Sequence, residues 1–272
     1  MLWIVQSNLH RERGYDRLLH ALDRLGCDRV WVKPVPFSRR LLPGDFDAPK
    51  AVDLEDVPEP VVDAGRPVLA MGSYGLAKTA VARGWSPGAF LDNTDYAAWS
   101  EGFGHENVLN PHAWTGPLRD AVVRAPAFVR PLADSKSFVG KVYEPEEFRA
   151  WQERILALGD DADVTGETPV IAAAPRVVHA ETRCFVVAGT IVTASLYRVG
   201  QTVRYEEVSD GPALAFARAC IARWTPSEAF VLDIAATPDG PKVVEVNCIN
   251  AAGIYACDTQ RLVAAFEAHW PG

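Results

Sequence analysis

Over the first ninety residues, short apolar runs alternate with stretches whose apolar positions recur at helical spacing. Leu2, Trp3, Ile4 and Val5 form one run, and Tyr15, Leu18, Leu19, Leu22 and Leu25 follow three or four apart before Gly26. That pattern predicts a strand and then a helix stopped by the glycine. A second strand is expected over 29–33, ending at Pro34, and a third over 67–71. The third opens onto Gly72-Ser73-Tyr74-Gly75 and a helix over 76–83. Strand–helix–strand order of this kind implies a small parallel sheet with helices packed on it. Residues 34–66 are acidic and proline-containing and read as surface loops.

Beyond residue 94 the texture becomes antiparallel. Helices are expected around 96–99 and 117–123. Two short strands, 127–132 and 138–143, flank the polar loop Ala133-Asp134-Ser135-Lys136-Ser137. Phe148, Trp151, Ile155 and Leu158 mark one helical face. A strand over 170–173 follows, then a hairpin of 184–187 and 190–197 turning at Ala188-Gly189, where the turn residues suit a tight reversal. A helix over 212–224, a last hairpin of 230–235 and 242–247, and a helix over 259–269 complete the pattern. The expected organisation is an α/β domain with a small parallel sheet over 1–92, then an α+β domain with antiparallel sheets over 93–272.

Composition narrows the function classes. With 272 residues, 49% apolar and 23% charged, the chain can bury a substantial core and is not a disordered one. Its 27 basic and 35 acidic residues leave a net charge of −8, which argues against nucleic acid as a partner. No apolar run approaches the roughly 18 residues of a membrane span, and the first residues lack the basic start of a secretory signal. Five cysteines without a C-x-x-C pair and six histidines without H-x-x-x-H predict reduced thiols in a cytoplasmic protein, with no cysteine-based zinc site. No heptad or apolar patch demands an obligate partner, and a homodimer is compatible with the pattern.

The last hairpin carries the sharpest chemistry. It reads Val231-Leu232-Asp233-Ile234, a turn, then Val243-Val244-Glu245-Val246-Asn247. Carboxylates within β-branched strands are unusual because an unpaired buried charge is costly. Alternation puts Glu245 and Asn247 on one face. A three-residue loop, 238–240, sets Asp233 opposite Glu245, and the three oxygen-bearing groups then converge on a cation such as Mg²⁺ shared with phosphates. A two-residue loop puts the carboxylates on opposite faces and removes the metal reading. The alternative is a solvated sheet face with its polar residues outward.

These residues resemble the ATP-grasp superfamily. A strand ending in Asp, an E-x-N strand and a glycine-containing loop are similar to its magnesium-binding end, here Glu245-Val246-Asn247-Cys248-Ile249-Asn250-Ala251-Ala252-Gly253. Phe128-Val129-Arg130-Pro131-Leu132, a polar loop and Phe138-Val139-Gly140 are similar to the family's F-V-K-P strand, phosphate-covering loop and returning strand. Val170-Ile171-Ala172-Ala173-Ala174 leads, seven residues on, to Glu181, the family's interval from hinge strand to ribose-binding acid. The resemblance covers roughly 93–272, and the preceding α/β domain fits the family's usual N-terminal, pre-ATP-grasp domain.

The resemblance implies an ATP- and Mg²⁺-dependent carboxylate–amine ligase. A small-molecule or peptide carboxylate would become an acylphosphate, and an amine would displace phosphate to give an amide. Arg130, Lys136, Arg183 and Arg198 would contact phosphates as catalytic groups. Arg130, Lys136, Arg183 and Asn247, with the hinge residues Ala172, Ala173 and Ala174 and with Glu181, would hold ATP. Asp233, Glu245 and Asn247 would hold Mg²⁺, and Asn250, Gly253 and Tyr255 would face substrate, Tyr255 and Asp258 serving otherwise to anchor the last helix. Two departures stand out: Arg130 replaces the usual phosphate-binding lysine, marking a divergent subclass, and Asn250-Ala251-Ala252-Gly253 replaces the usual Pro-Gly. Lys141 and Lys242 read as surface residues.

Other readings compete. A nucleotide-binding protein without turnover is motivated by Arg130, and phosphotransfer to a hydroxyl would use the same nucleotide site. Gly72-Ser73-Tyr74-Gly75-Leu76-Ala77-Lys78-Thr79 nearly spells a phosphate-binding loop, with Phe230-Val231-Leu232-Asp233 as its magnesium strand. Ala77 stands where that loop needs its second glycine, however, and the E-x-N strand is left unexplained. A tight strand-to-helix turn lining a substrate cleft is the better reading of Gly72 and Ser73.

Overall fold

A computed structural model describes residues 1–9, 12–36, 38–47, 53–91, 95–132, 137–159 and 162–272. The first sheet contains β1 (Leu2–Gln6), β2 (Asp28–Pro34), β3 (Leu41–Pro43), β4 (Val68–Met71) and β5 (Pro87–Gly88), in the order β3-β2-β1-β4-β5. All neighbours are parallel except β2 and β3. β3 lies inside the stretch expected to be all loop; its Leu41 and Leu42 are buried against the sheet. The central strand β1 is buried along its length, as a parallel strand covered on both faces must be. Helix α1 (Tyr15–Arg24) covers one face and α2 (Tyr74–Ala82) the other. Gly26 follows α1 at φ +65°, the conformation glycine tolerates best.

Helix α3 (Tyr96–Phe103) runs past the expected 96–99 and is capped by Asp95, whose carboxylate accepts from the amides of Ala97 and Ala98. The expected helix over 117–123 does not form. Its start belongs to β6 (Trp114–Pro117), followed by a single 3₁₀ turn over Leu118–Asp120. Pairing of β6 with β9 (Pro169–Ala173) supplies hydrogen bonds there that override the helix-starting proline. β7 (Ala127–Pro131) and β8 (Lys141–Tyr143) complete a four-stranded antiparallel sheet in the order β6-β9-β7-β8, closed on one side by α4 (Pro145–Leu158). The returning strand is thus shorter than the expected 138–143.

The third sheet is antiparallel throughout. It contains β10 (Ala180–Val187), β11 (Thr190–Val199), β12 (Thr202–Glu207), β13 (Ala229–Thr237) and β14 (Gly240–Asn247), in the order β12-β11-β10-β13-β14. One face packs on α3 and α5 (Pro212–Arg223), the other on α6 (Thr259–His269) and α1. The same core joins Trp3 and Val5 of the first sheet to Phe185, Val231, Leu262 and Phe266. Glu267 fastens the first strand to α6, accepting from the N-terminal ammonium at 3.0 Å and from Trp3 Nε1 at 2.6 Å. The expected boundary near residue 92 falls on 92–94, outside the described residues.

The last hairpin corrects one expectation and keeps its consequence. Thr237 pairs with Gly240, so the loop has two residues, not three. Without further irregularity Asp233 would face Val244. A bulge between Asp233 and Ile234 takes up Val244 as an extra residue and restores Asp233 opposite Glu245.

Candidate active site

Two clefts meet at one carboxylate. The first, about 480 Å³, opens between the four-stranded and third sheets and is lined in part by Phe128, Arg130, Ala173, Ala174, Glu181 and Arg198. The second, about 530 Å³, lies between the C-terminal end of β4 and the loop after β14, with Gly72, Ser73, Asn247, Gly253 and Tyr255 among its lining. Glu245 lines both.

In the first cleft, Ala173 and Ala174 present the end of β9, whereas Ala172 pairs with Trp114 and Val129 and packs into the four-stranded sheet's own core. Glu181 is buried on β10; Arg198 pairs with one carboxylate oxygen and the Tyr197 hydroxyl donates to the other. Burial is the main force raising the Tyr197 phenol, reinforced by the neighbouring carboxylates, so the hydroxyl keeps its proton. Arg130 is half-buried and donates to the Pro131 carbonyl at 3.1 Å. Lys136 lies outside the described residues. Lys141, expected at the surface, borders the cleft but is paired with Glu147. Lys242 donates to the Glu106 carbonyl at 2.7 Å. Asn110 and Arg176 also line the cleft, and the side-chain oxygen of Asn110 is buried without a partner among the described residues. Nothing in the local pattern singles out either residue, because the three-dimensional approach of their loops places them.

At the junction, Asp233, Glu245 and Asn247 form the expected cluster. The Asn247 amide donates to Glu245 Oε1 at 3.0 Å and to Asp233 Oδ2 at 3.2 Å. Arg183, directly across the ladder from Asp233, grips it with a fork: Nε to Oδ1 at 2.9 Å and Nη2 to Oδ2 at 2.7 Å. Burial opposes both charges. It pushes the Asp233 carboxyl up to about 6 against the pull of Arg183. For Arg183, the Asp233 carboxylate outweighs burial and holds the guanidinium well above its ordinary range. The pair is therefore ionised at neutral pH.

These donors fit Mg²⁺ in a specific way. Asp233 is fully buried and lines neither cleft, whereas Glu245 and Asn247 face the second and Glu245 both. No group of three or more His, Cys, Asp or Glu side chains able to cage a metal occurs among the described residues. An ion here would take most of its ligands from phosphates and water, which is how Mg²⁺ is usually bound.

In the second cleft, Asn250 is expected from the sequence to face substrate, but its amide is fully engaged. It accepts from Phe90 N at 2.9 Å and donates to the carbonyls of Ala70 at 2.7 Å and Gly88 at 3.3 Å, tying the loop to the first sheet. The Gly253 carbonyl accepts from Arg183 at 3.3 Å. Tyr255 adopts φ +54° and stacks between Tyr197 and Tyr205, while Asp258 caps α6. The phosphate-loop alternative loses its metal hydroxyl, since Thr79 is buried and donates to the Gly75 carbonyl. Lys78 instead sits over the Tyr74 ring at 5.0 Å.

Comparison with known proteins agrees with this geometry. Residues 49–266 match a family model for an ATP-grasp domain, the third family of its clade. Curated protein sequences give no match. Among solved structures, a RimK domain ATP-grasp protein from Sphaerobacter thermophilus DSM 20745 is similar, at 17% identity and a TM-score of 0.58, covering 99% of this chain and 95% of that one. D-alanine–D-alanine ligase from Bacillus anthracis complexed with ATP is similar at 14% identity and a TM-score of 0.57, covering 98% and 96%. The ATP-grasp ligase PsnB complexed with a minimal precursor gives 13%, 0.56, and 98% of both chains. At these identities the structures show a shared fold.

Proposed function

The chain belongs to the ATP-grasp superfamily, and from that premise we propose that it is an ATP-dependent carboxylate–amine ligase. The observation that carries the reading is the position of Glu245, the carboxylate shared by a nucleotide-sized cleft and a second, polar one. In this reading the adenine lies against the backbone of Ala173 and Ala174, and Glu181 receives the ribose hydroxyls. Arg130 and Arg198 contact the phosphates from the first cleft, and Arg183 faces the reacting end from the second. Glu245 and Asn247 hold Mg²⁺ from the cleft side, with Asp233 behind them fixing Arg183 and the Asn247 amide. When bound, Mg²⁺ neutralises phosphate charge during phosphoryl transfer.

The chain's own groups supply orientation and charge. A substrate carboxylate in the second cleft attacks the γ-phosphate, ADP leaves, and the resulting acylphosphate is attacked by an amine with release of phosphate. Arg183 cannot turn away from its fork without leaving Asp233 unpaired, so its donors are preorganised for the charge that develops between the clefts. All five cysteines are free thiols, and on that ground a cytoplasmic setting belongs to the same proposal. No described helix is long and apolar enough to cross a membrane.

The test is Mg·ATP-dependent ADP release with a panel of carboxylates and amines, with products analysed by mass spectrometry. An amide product with equimolar ADP and phosphate is expected. A stable phosphorylated product without amide would assign a phosphotransferase, and nucleotide binding without ADP release from any pair would assign a non-catalytic nucleotide binder.

A further inference from the structure

The second cleft continues past Tyr255. It shares Glu12, Arg13 and Tyr255 with an outer cavity of about 600 Å³ that also takes in Asp16, Arg17 and Tyr205. A continuous trough therefore leads from Glu245 to the outer surface. Stacked groups form its wall: Tyr255 lies 5.2 Å from Tyr197 and 5.1 Å from Tyr205, and the Arg13 guanidinium sits 4.6 Å from the Tyr205 centroid. Arg183 packs against the same column, 4.9 Å from the Tyr255 centroid. The loop carrying Arg13 is brought close at Gly14, at φ +85°, where a Cβ would lie 2.8 Å from the Tyr255 carbonyl oxygen.

Arg13 differs from the other arginines near this trough. Arg183 is committed to Asp233, and Arg17 donates to the carbonyls of Tyr255 and Cys257. Arg13 has no carboxylate partner among the described residues, and Glu12 beside it has no cationic one. A guanidinium stacked on a ring keeps its in-plane N–H fork free for a carboxylate. An uncompensated cation and anion on successive residues match an ammonium and a carboxylate separated by one carbon.

We infer that Arg13 grips a substrate carboxylate that does not react while Glu12 holds the same molecule's ammonium, so that the amine substrate is an α-amino acid, not a simple amine. Its side chain extends along the outer trough toward Tyr205. The reacting carboxyl must lie near Glu245, where the phosphates arrive, so a carboxylate held at Arg13 is a second one. In the amide-forming step the amine nitrogen bonds to the acyl carbon, the bond from that carbon to the phosphate oxygen breaks, phosphate leaves, and Glu12 accepts the ammonium's proton. The inference rests on the ligase reading.

The experiment measures ADP release by wild type, Arg13→Gln and Arg13→Lys with the carboxylate panel and matched acceptors: glycine against glycinamide, alanine against alaninamide. Calorimetric binding of Mg·ATP checks that each variant is folded. Wild type is expected to prefer the amino acid to its amide by on the order of tenfold to a hundredfold, the range for charge-assisted hydrogen bonds. Arg13→Gln removes that preference by raising KM for the amino acid with little change in kcat, and Arg13→Lys restores part of it. Equal use of acid and amide by wild type, or a preference surviving in Arg13→Gln, overturns the inference and leaves the ligase reading standing. No ADP release by wild type with any pair overturns both.

Discussion

Replacing Asp233 by asparagine tests the buried pair on which the junction is built. The carboxylate is fully buried, its Arg183 partner is 9% exposed, and two short hydrogen bonds join them. Arg183 cannot shed its proton, so the variant leaves a buried cation with one neutral acceptor in place of a carboxylate. Breaking such a pair from one side costs about 3–5 kcal/mol. The retained oxygen places Asp233→Asn near about 3 kcal/mol, or a fall in Tm of roughly 6–12 °C for a chain of this size. Arg183→Met combined with Asp233→Asn removes both charges and fills the space with apolar volume. The double variant is therefore expected to lose less than the sum of the singles, by about 2 kcal/mol or more. Urea and thermal unfolding of the four proteins measure the cycle. A cost below about 1 kcal/mol for Asp233→Asn, or additive singles, would refute the reasoning.

Three further outcomes follow from packing. Gly14→Ala meets the Tyr255 carbonyl in a left-handed conformation and is expected to lower stability by about 1–3 kcal/mol in urea unfolding; a neutral result would show that the loop does not close on Tyr255. Asn250→Ala strips partners from Phe90 N and from the Ala70 and Gly88 carbonyls, and is expected to cost about 2–4 kcal/mol; an unchanged Tm would show that this amide does not join the first sheet to the site loop. Burial is the leading cause that pushes the Cys220 thiol up to about 11 and the Cys257 thiol up to about 12. Both should react slowly with a disulfide reagent at pH 8 and quickly after denaturation, and rapid labelling of the native protein would contradict their placement.

Much of the architecture is written locally. The run at Leu2–Val5, the spacing from Tyr15 to Leu25 and the glycine after it specify the start of the first sheet and its first helix, because burial and helical period act within a few residues. Short elements are not legible in this way. β6 owes its conformation to β9, fifty-odd residues away, and β3 to its partner strand. The bulge at Val244 has no local signature either, yet it decides which face Glu245 occupies. At the site, Glu181, Arg183, Asp233, Glu245 and Asn247 can be named because charge inside β-branched strands is unusual. That Asp233 is spent on Arg183 depends on the β10–β13 register. That Asn250 is a structural tie, and that Arg13 borders the substrate trough, depends on how the first sheet packs against the last hairpin and its loop, which no single segment encodes.

The most direct measurement is calorimetric titration of Mg·ATP into wild type, Glu245→Gln and Lys78→Ala. Wild type and Lys78→Ala are expected to bind alike, and Glu245→Gln at least about tenfold more weakly, as loss of a charge-assisted ligand implies. Absence of binding to wild type, or binding lost in Lys78→Ala and retained in Glu245→Gln, would contradict a nucleotide site whose reacting end is set by Glu245.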